Sequence, residues 1–484
     1  MGEAPEIRIR AVNDVPARGG DYVLYWMIAA RRPHASFSLE HALALAQKNN
    51  TGLVVLEALR CDYPWAGDRL HTFVAQGMAD NAAAFSRAGL SYYPYIEPAV
   101  GAGKGLLDAL AARALAVVTD DYPCFFLPRM VAAAGRKLQV PLLAVDGNGL
   151  VPLAAPRREF TMAHSYRRWL QKNIAGYLGQ APQPVPLKGA RLKPVDLPEA
   201  ILRKWPAAEP AHFDASRLPI DHGVAQATLR GGWQAARMRL EAWLAGQYAR
   251  YDEGRNHPDY AVTSGLSPWL HFGHISPWEI LDAIASREDW SPARLRARAD
   301  GKRGWWGMSA NGEALLEQLA VWRELGYQRC HARPDYDRYE SLPAWARATL
   351  RAHAGDKRGY VYTPAQFEAA QTHDEVWNAA QRELVSTGGL HNYMRMLWGK
   401  CILAWSQSPQ QALATMIHLN NKYALDGRDP NSYSGILWCL GLFDRAWGPV
   451  RPVFGTVRCM TTDSARRKLK LKQYLQHYAR WHES

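Results

Sequence analysis

Apolar residues run in short unbroken blocks through the first third of the chain, then change rhythm. "YVLYWMI" (22–28), "TGLVVLEAL" (51–59), "SYYPYIE" (91–97), "LAVVTDD" (115–121) and "VPLLAVD" (140–146) read as strands. Blocks this continuous suit a sheet covered on both faces. Between them, "SLEHALALAQK" (38–48) and "LLDALAARAL" (106–115) repeat apolar residues at helical spacing. The alternation predicts a doubly wound, Rossmann-like parallel sheet of five strands over residues 1–155.

A proline-dense stretch interrupts this pattern. Positions 182, 184, 186, 194, 198, 206, 210 and 219 are all proline, which opposes helix and central strand alike. Residues 156–212 are therefore expected to form an interdomain linker. From 213 to 484 the period becomes helical, as in "GGWQAARMRLEAWLAGQYARY" (231–251), "EALLEQLAVWREL" (313–325) and "HNYMRMLWGKCILAW" (391–405). An α/β domain followed by an all-α domain is the expected architecture.

Composition narrows the class. Six scattered cysteines form no C-x-x-C pair, so neither a disulfide framework nor a metal site is expected. The start, "MGEAPEIRIR", lacks a signal peptide's apolar run, and Glu6 stands where myristoylation needs Ser or Thr. No apolar run is long enough to span a bilayer. A cytoplasmic, monomeric protein is the expectation. The net charge of +13 makes a polyanion a reasonable partner.

Some motifs have bland explanations. "VGAGKGLL" (100–107) has the wrong spacing for a phosphate loop and reads as a loop before a helix. "TSGLSPWLHFGHISP" (263–277) offers hydroxyls and backbone N–H groups to an anion, but a cap and turn explain it equally. "NKYALDGRDPNSYSG" (421–435) sets Asp426, Arg428 and Asp429 around a turn between apolar helices, and Arg395 is a candidate partner for these charges.

The stretch 391–405 carries two faces. Asn392, Arg395 and Met396 share one, an odd set for a core and a sensible pocket wall. Met394, Trp398, Cys401 and Trp405 form a second stripe, for which core packing is the default. Seven residues rise about 10.5 Å, so Trp398 and Trp405 could serve stepwise electron transfer. Two basic clusters, "RLRARADGKRGWW" (294–306) and "ARRKLKLK" (465–472), suit either a solvated surface or a nucleic-acid backbone with unstacked bases.

"TSGLSPWLHFGHIS", "WNAAQRELVSTGGLHNYMRMLW" and "LNNKYALDGRDPNSYSGILW" together resemble the signature segments of the photolyase/cryptochrome family, most closely its class II cyclobutane pyrimidine dimer photolyases. The resemblance covers nearly the whole chain. It implies FAD in the helical domain, which in its reduced, photoexcited state donates an electron to a dimer flipped out of double-stranded DNA. An antenna chromophore, deazaflavin or folate, is possible by the same analogy. By motif, Tyr251, Arg255 and Asn256, and the run Thr263, Ser264, Gly265, Leu266 and Ser267, are similar to FAD contacts. Asn392, Arg395, Asp426 and Asp429 resemble further flavin contacts, and Asn420 the residue facing flavin N5. Trp377, Trp398 and Trp405 resemble the tryptophan relay that photoreduces the flavin. Trp322, Met396 and Trp438 are similar to residues that hold the flipped dimer.

The chain departs from the family at Gln318, where a dimer-contacting glutamate is expected one helical turn before Trp322. An amide donates a hydrogen bond but supplies no proton. Glu317, its neighbour, points about 100° away on a helix. "WCLGLFDRAW" (438–447) is one residue short and has Phe443 in place of a histidine. "RRPHASFSLEHAL" (31–43) lacks an acidic-Asn pattern, and 301–312 resembles an insertion. These differences bear on the substrate. Light-driven splitting of pyrimidine dimers is the leading reading; a cryptochrome-like blue-light receptor, or a flavin photoenzyme for another lesion or substrate, is the alternative.

Overall fold

The structure, a computed structural model, describes residues 3–297 and 301–480. The chain forms two compact units. One takes the residues up to Arg157, Ile174–Glu241 and Leu266–Pro292; the other takes Arg158–Asn173, Ala242–Gly265 and the residues from Ala293 on.

The first unit holds one sheet of six strands: β1 (Ile9–Ala11), β2 (Tyr22–Met27), β3 (Gly52–Leu59), β4 (Ser91–Ile96), β5 (Ala114–Asp120) and β6 (Leu142–Val145). Their order is β1-β6-β5-β2-β3-β4. β2 to β6 pair in parallel, and β1 runs antiparallel along β6. The expected five parallel strands are thus present with a sixth at the edge. β1 is three mostly exposed residues, too short to show an alternation. β2 is buried at every position, as a strand covered on both faces must be.

Chain order reverses between β2 and β5, which makes that crevice the sheet's switch point. Asp120 fills it. Its Oδ2 accepts the backbone N–H groups of Ile28, Ala29 and Ala30 at 2.9, 2.8 and 2.9 Å, and its Oδ1 accepts the Tyr25 hydroxyl at 2.9 Å. The proline-dense stretch also feeds this unit. Ile201 and Trp205, on and beside a short helix (Glu199–Lys204), lie in the core that lines the sheet, and the Trp205 indole donates to the Ala102 carbonyl at 3.0 Å.

The second unit is helical. Four of its helices frame the site: Glu375–Thr387, Asn392–Trp405, Pro409–Tyr423 and Pro430–Trp438. Local chemistry fixes their ends. Asp374, Ser408 and Asp429 cap three N-termini by accepting backbone N–H groups. Gly388 ends the first helix in the left-handed region at φ 74°. Gly399 lets three helices close together, since a Cβ there would lie 2.5 Å from Cys439 Sγ and 3.0 Å from Met416 Sδ. No helix among the described residues is long and apolar enough to cross a membrane.

Candidate functional site

Helix Asn392–Trp405 divides as its sequence pattern indicates. Met394, Trp398 and Cys401 are buried, while Asn392 is exposed and Arg395 and Met396 are half-buried. Arg395 donates to Asp426 Oδ1 at 2.7 Å, with both side chains largely shielded. This pair links the helix to the turn that follows helix Pro409–Tyr423.

Asn421 shapes that turn. It is fully buried; its Oδ1 accepts the Arg428 N–H at 2.9 Å and its Nδ2 donates to the Tyr433 hydroxyl at 3.0 Å. Arg428 is thereby held in the left-handed region at φ 60°. Asp429 uses Oδ1 to cap its helix (2.8 Å to Asn431 N) and Oδ2 to accept the Tyr327 hydroxyl at 2.9 Å. Asn420, just before, is 2% exposed and donates to Ser432 Oγ at 2.6 Å.

Tyr251 and Arg255 lie on and just past a single helical turn, Tyr251–Gly254. Tyr251 is buried edge-on against Trp243, and the Arg255 guanidinium sits 5.9 Å from the Tyr251 ring. His391, which opens the Asn392 helix, has its imidazole pushed down to about 4 by burial, opposed by the backbone of Arg255. In the run 263–267, Gly265 supplies a turn at φ 68°, and helix Ser267–His271 follows. Thr263, Ser264 and Gly265 fall in the helical unit, Leu266 and Ser267 in the α/β unit.

Gln318 and Trp322 are half-buried, on a backbone that differs from expectation. Glu317–Arg323 is π-helical, between helices Ala310–Leu316 and Glu324–Ala332. The wider turn buries Leu319, Ala320, Val321 and Arg323, more of the circumference than one α-helical stripe, and such turns often mark functional positions. Glu317 is committed elsewhere, accepting Arg167 Nε at 2.8 Å. The Gln318 amide has no hydrogen-bond partner among the described residues.

Met396 and Trp438 meet across the facing helix. A Cβ on Gly435 would touch Met396 Cε at 3.4 Å, and Cys439 Sγ lies 3.7 Å from the Met396 carbonyl. Behind Trp438 stands Lys400, fully buried, its Nζ 4.7 Å from the ring centroid and 2.8 Å from the Cys439 carbonyl. Burial pulls its pKa down to about 8.

The three tryptophans are joined in an order that spacing along one helix does not give. Trp377 lies between the other two, 6.5 Å from Trp398 and 6.2 Å from Trp405, ring centroid to centroid. The basic clusters separate. Trp305 and Trp306 are 3% and 4% exposed and pack on each other, so burial withholds them from stacking on bases; residues 298–300 of that cluster lie outside the described residues. Arg466, Arg467, Lys468, Lys470 and Lys472 are exposed, with Leu469 and Leu471 buried between them.

Near-full-length relatives share this arrangement of sequence. The deoxyribodipyrimidine photo-lyase of Methanothermobacter thermautotrophicus is 33% identical over 471 residues, 97% of each chain. The chain belongs to the photolyase/cryptochrome family. The deoxyribodipyrimidine photo-lyase of Oryza sativa subsp. japonica is 32% identical over 98% of this chain and 90% of its own. No family model matches. The fold is similar to a bacterial class III photolyase from Agrobacterium tumefaciens (TM-score 0.68, 16% identity, 96% of this chain and 88% of that one). It is also similar to a Synechocystis cryptochrome (TM-score 0.62, 15% identity, 94% and 88%).

Within this photolyase/cryptochrome chain, sequence reasoning passed over four site residues. Gln381, Lys400 and Asn421 are fully buried polar side chains in runs that read as core helix. Glu383 is the fourth. It accepts the Tyr474 hydroxyl at 2.6 Å and the His391 N–H at 3.2 Å, and burial pushes its carboxyl up to about 7. The available signal was a polar residue at a core position of the helical period.

Proposed function

We propose that the protein is a light-driven DNA-repair lyase that splits cyclobutane pyrimidine dimers, with FAD in its helical unit. One observation carries the reading. A single helix, Asn392–Trp405, presents Arg395 paired to Asp426 on its accessible side and Trp398 packed against Trp377 on its buried side. A flavin photoenzyme needs both, a holder for the cofactor and a conduit to it. The similarity to deoxyribodipyrimidine photo-lyases along the whole chain supports the same reading.

The donor set fits the cofactor. Two buried polar atoms, Arg255 Nε and Ser434 Oγ, have no hydrogen-bond partner within the protein, and buried polar groups in proteins are normally satisfied. Tyr251, Arg255, Thr263, Ser264 and Gly265 would hold the phosphates. Asn392, Arg395, Asp426 and Asp429 would hold the flavin and its ribityl chain, with Asn420 toward N5. Bound FAD supplies the photoexcited electron that cleaves the dimer. Met396, Trp322 and Trp438 would enclose the flipped bases, whose apolar faces have lost their stacking partners. Gln318 would donate its amide to a dimer carbonyl. Trp398, Trp377 and Trp405 would return the flavin to its reduced state. Helical FAD binding is assigned to residues 213–484, and double-stranded DNA with a lesion is the partner.

The test uses reduced, FAD-loaded protein and an oligonucleotide bearing one thymine dimer. Ultraviolet absorbance of the restored pyrimidines is followed under blue light, with a dark control. Light-dependent recovery is expected. No recovery from protein with bound, photoreducible FAD would favour the receptor reading, or another substrate, and Gln318 would be the first residue to suspect.

A further inference from the structure

The three tryptophans differ in what their indole N–H groups touch. Trp398 Nε1 donates to Gln381 Oε1 at 2.9 Å. Trp377 Nε1 donates to the backbone carbonyl of Trp398 at 3.0 Å. Both acceptors are amide oxygens, which accept a hydrogen bond but are not bases near neutral pH. Burial removes water as an alternative, since Trp377, Trp398 and Gln381 are 1%, 2% and 0% exposed. The Gln381 amide is also oriented. Its Nε2 donates to the Glu368 carbonyl at 3.3 Å, so its oxygen is the end that faces Trp398.

Nearby titratable groups offer no substitute. Asp374 accepts the backbone N–H of Trp377 at 2.9 Å, as its helix cap. Cys401 is fully buried, its thiol pushed well up by that burial, so it stays a donor. Trp405 is different. It is half-buried, its N–H has no acceptor among the described residues, and its ring faces Tyr362 and His373 at 6.1 and 4.9 Å.

We infer that Gln381 is a positioning residue that makes Trp398 give up an electron while keeping its proton, so that oxidation passes through Trp377 and the proton leaves only at Trp405. This rests on the tryptophan-relay reading above. The balance is simple. Photoexcited oxidised flavin, the electron acceptor, takes one electron from Trp398. Trp398 is refilled from Trp377, and Trp377 from Trp405. Trp405 then loses its N–H proton to water. One electron and one proton have left Trp405, and the inner pair is unchanged. An inner base would instead capture the proton and strand the oxidation beside the flavin.

Flash absorption spectroscopy of FAD-loaded protein reads the indole radicals directly, because the protonated radical absorbs to the red of the deprotonated one. Trp405→Phe confines oxidation to the inner pair. That variant should show only the protonated band, decaying at the same rate in light and heavy water. A deprotonated band there would overturn the inference. In the same background, Gln381→Glu and Gln381→His each place a proton acceptor at the Trp398 N–H. At least one should shift the band to the deprotonated form, with formation slowed in heavy water; an unchanged band in both, in alkaline buffer, would also overturn it. Trp398→Phe separates this inference from the relay. Normal photoreduction in that variant would remove the relay itself, whereas lost photoreduction together with a deprotonated inner radical would leave the relay and remove only the role of Gln381.

Discussion

Trp377 lies parallel to Trp398, their ring planes 5° apart, and it alone touches Trp405. The contact between the two ends of helix Asn392–Trp405 therefore runs through a neighbouring helix. Trp377→Phe should abolish photoreduction of oxidised FAD and spare repair by protein reduced chemically beforehand. Trp398→Phe should do the same. Steady illumination followed by the flavin absorption spectrum reads the first property, and dimer repair after dithionite treatment reads the second. The core would lose part of one indole, so a stability loss of about 1–3 kcal/mol is expected alongside.

Asp426→Asn removes the charge that Arg395 meets at 2.7 Å. A hydrogen bond to a charged group is worth about 1.5–3 kcal/mol, so flavin affinity should fall by roughly ten- to a hundredfold. Equilibrium titration of the apoprotein with FAD measures this. Affinity equal to wild type would detach Asp426 and Arg395 from the cofactor.

Gln318→Glu places a carboxyl group where the amide now has no partner. The gain over a neutral hydrogen bond is about 1 kcal/mol, a roughly fivefold faster splitting step. Single-turnover repair under a calibrated flash decides it. Equal rates would mean that the π-helical backbone turns position 318 away from the lesion.

Two buried groups set opposite pH slopes on stability. Glu383 has its carboxyl raised from 4.5 to about 7. Between those values the folded state holds the extra proton, so its contribution, of order 3 kcal/mol, is lost as pH rises through about 7. Lys400 is lowered from 10.5 to about 8, so the unfolded state holds the extra proton between them and stability rises with pH across that window. Urea denaturation across each window should show the first slope weakened in Glu383→Gln and the second in Lys400→Met.

Much of this fold was legible because its signals are local. Continuous apolar blocks gave five of the six strands, and Asp374, Ser408 and Asp429 sit where helix caps belong. Features made by approach between elements were not. Nothing near Trp377 in the chain announces that its ring lies between two others. The π-helix at 317–323 shares its apolar spacing with an α-helix, so period alone could not reveal it. Trp305 and Trp306, beside arginines in sequence, turned inward, because an indole gains more from a core than its neighbours' charges reveal.

Asp120 has a wider consequence. Its carboxylate takes three consecutive backbone N–H groups at the point where sheets of this topology commonly receive a phosphate. The α/β unit thus carries a resident counter-ion, covalently supplied and present at fixed stoichiometry. At that crevice no metabolite need be bound for the backbone to be satisfied, and folding there is decoupled from the cell's nucleotide supply.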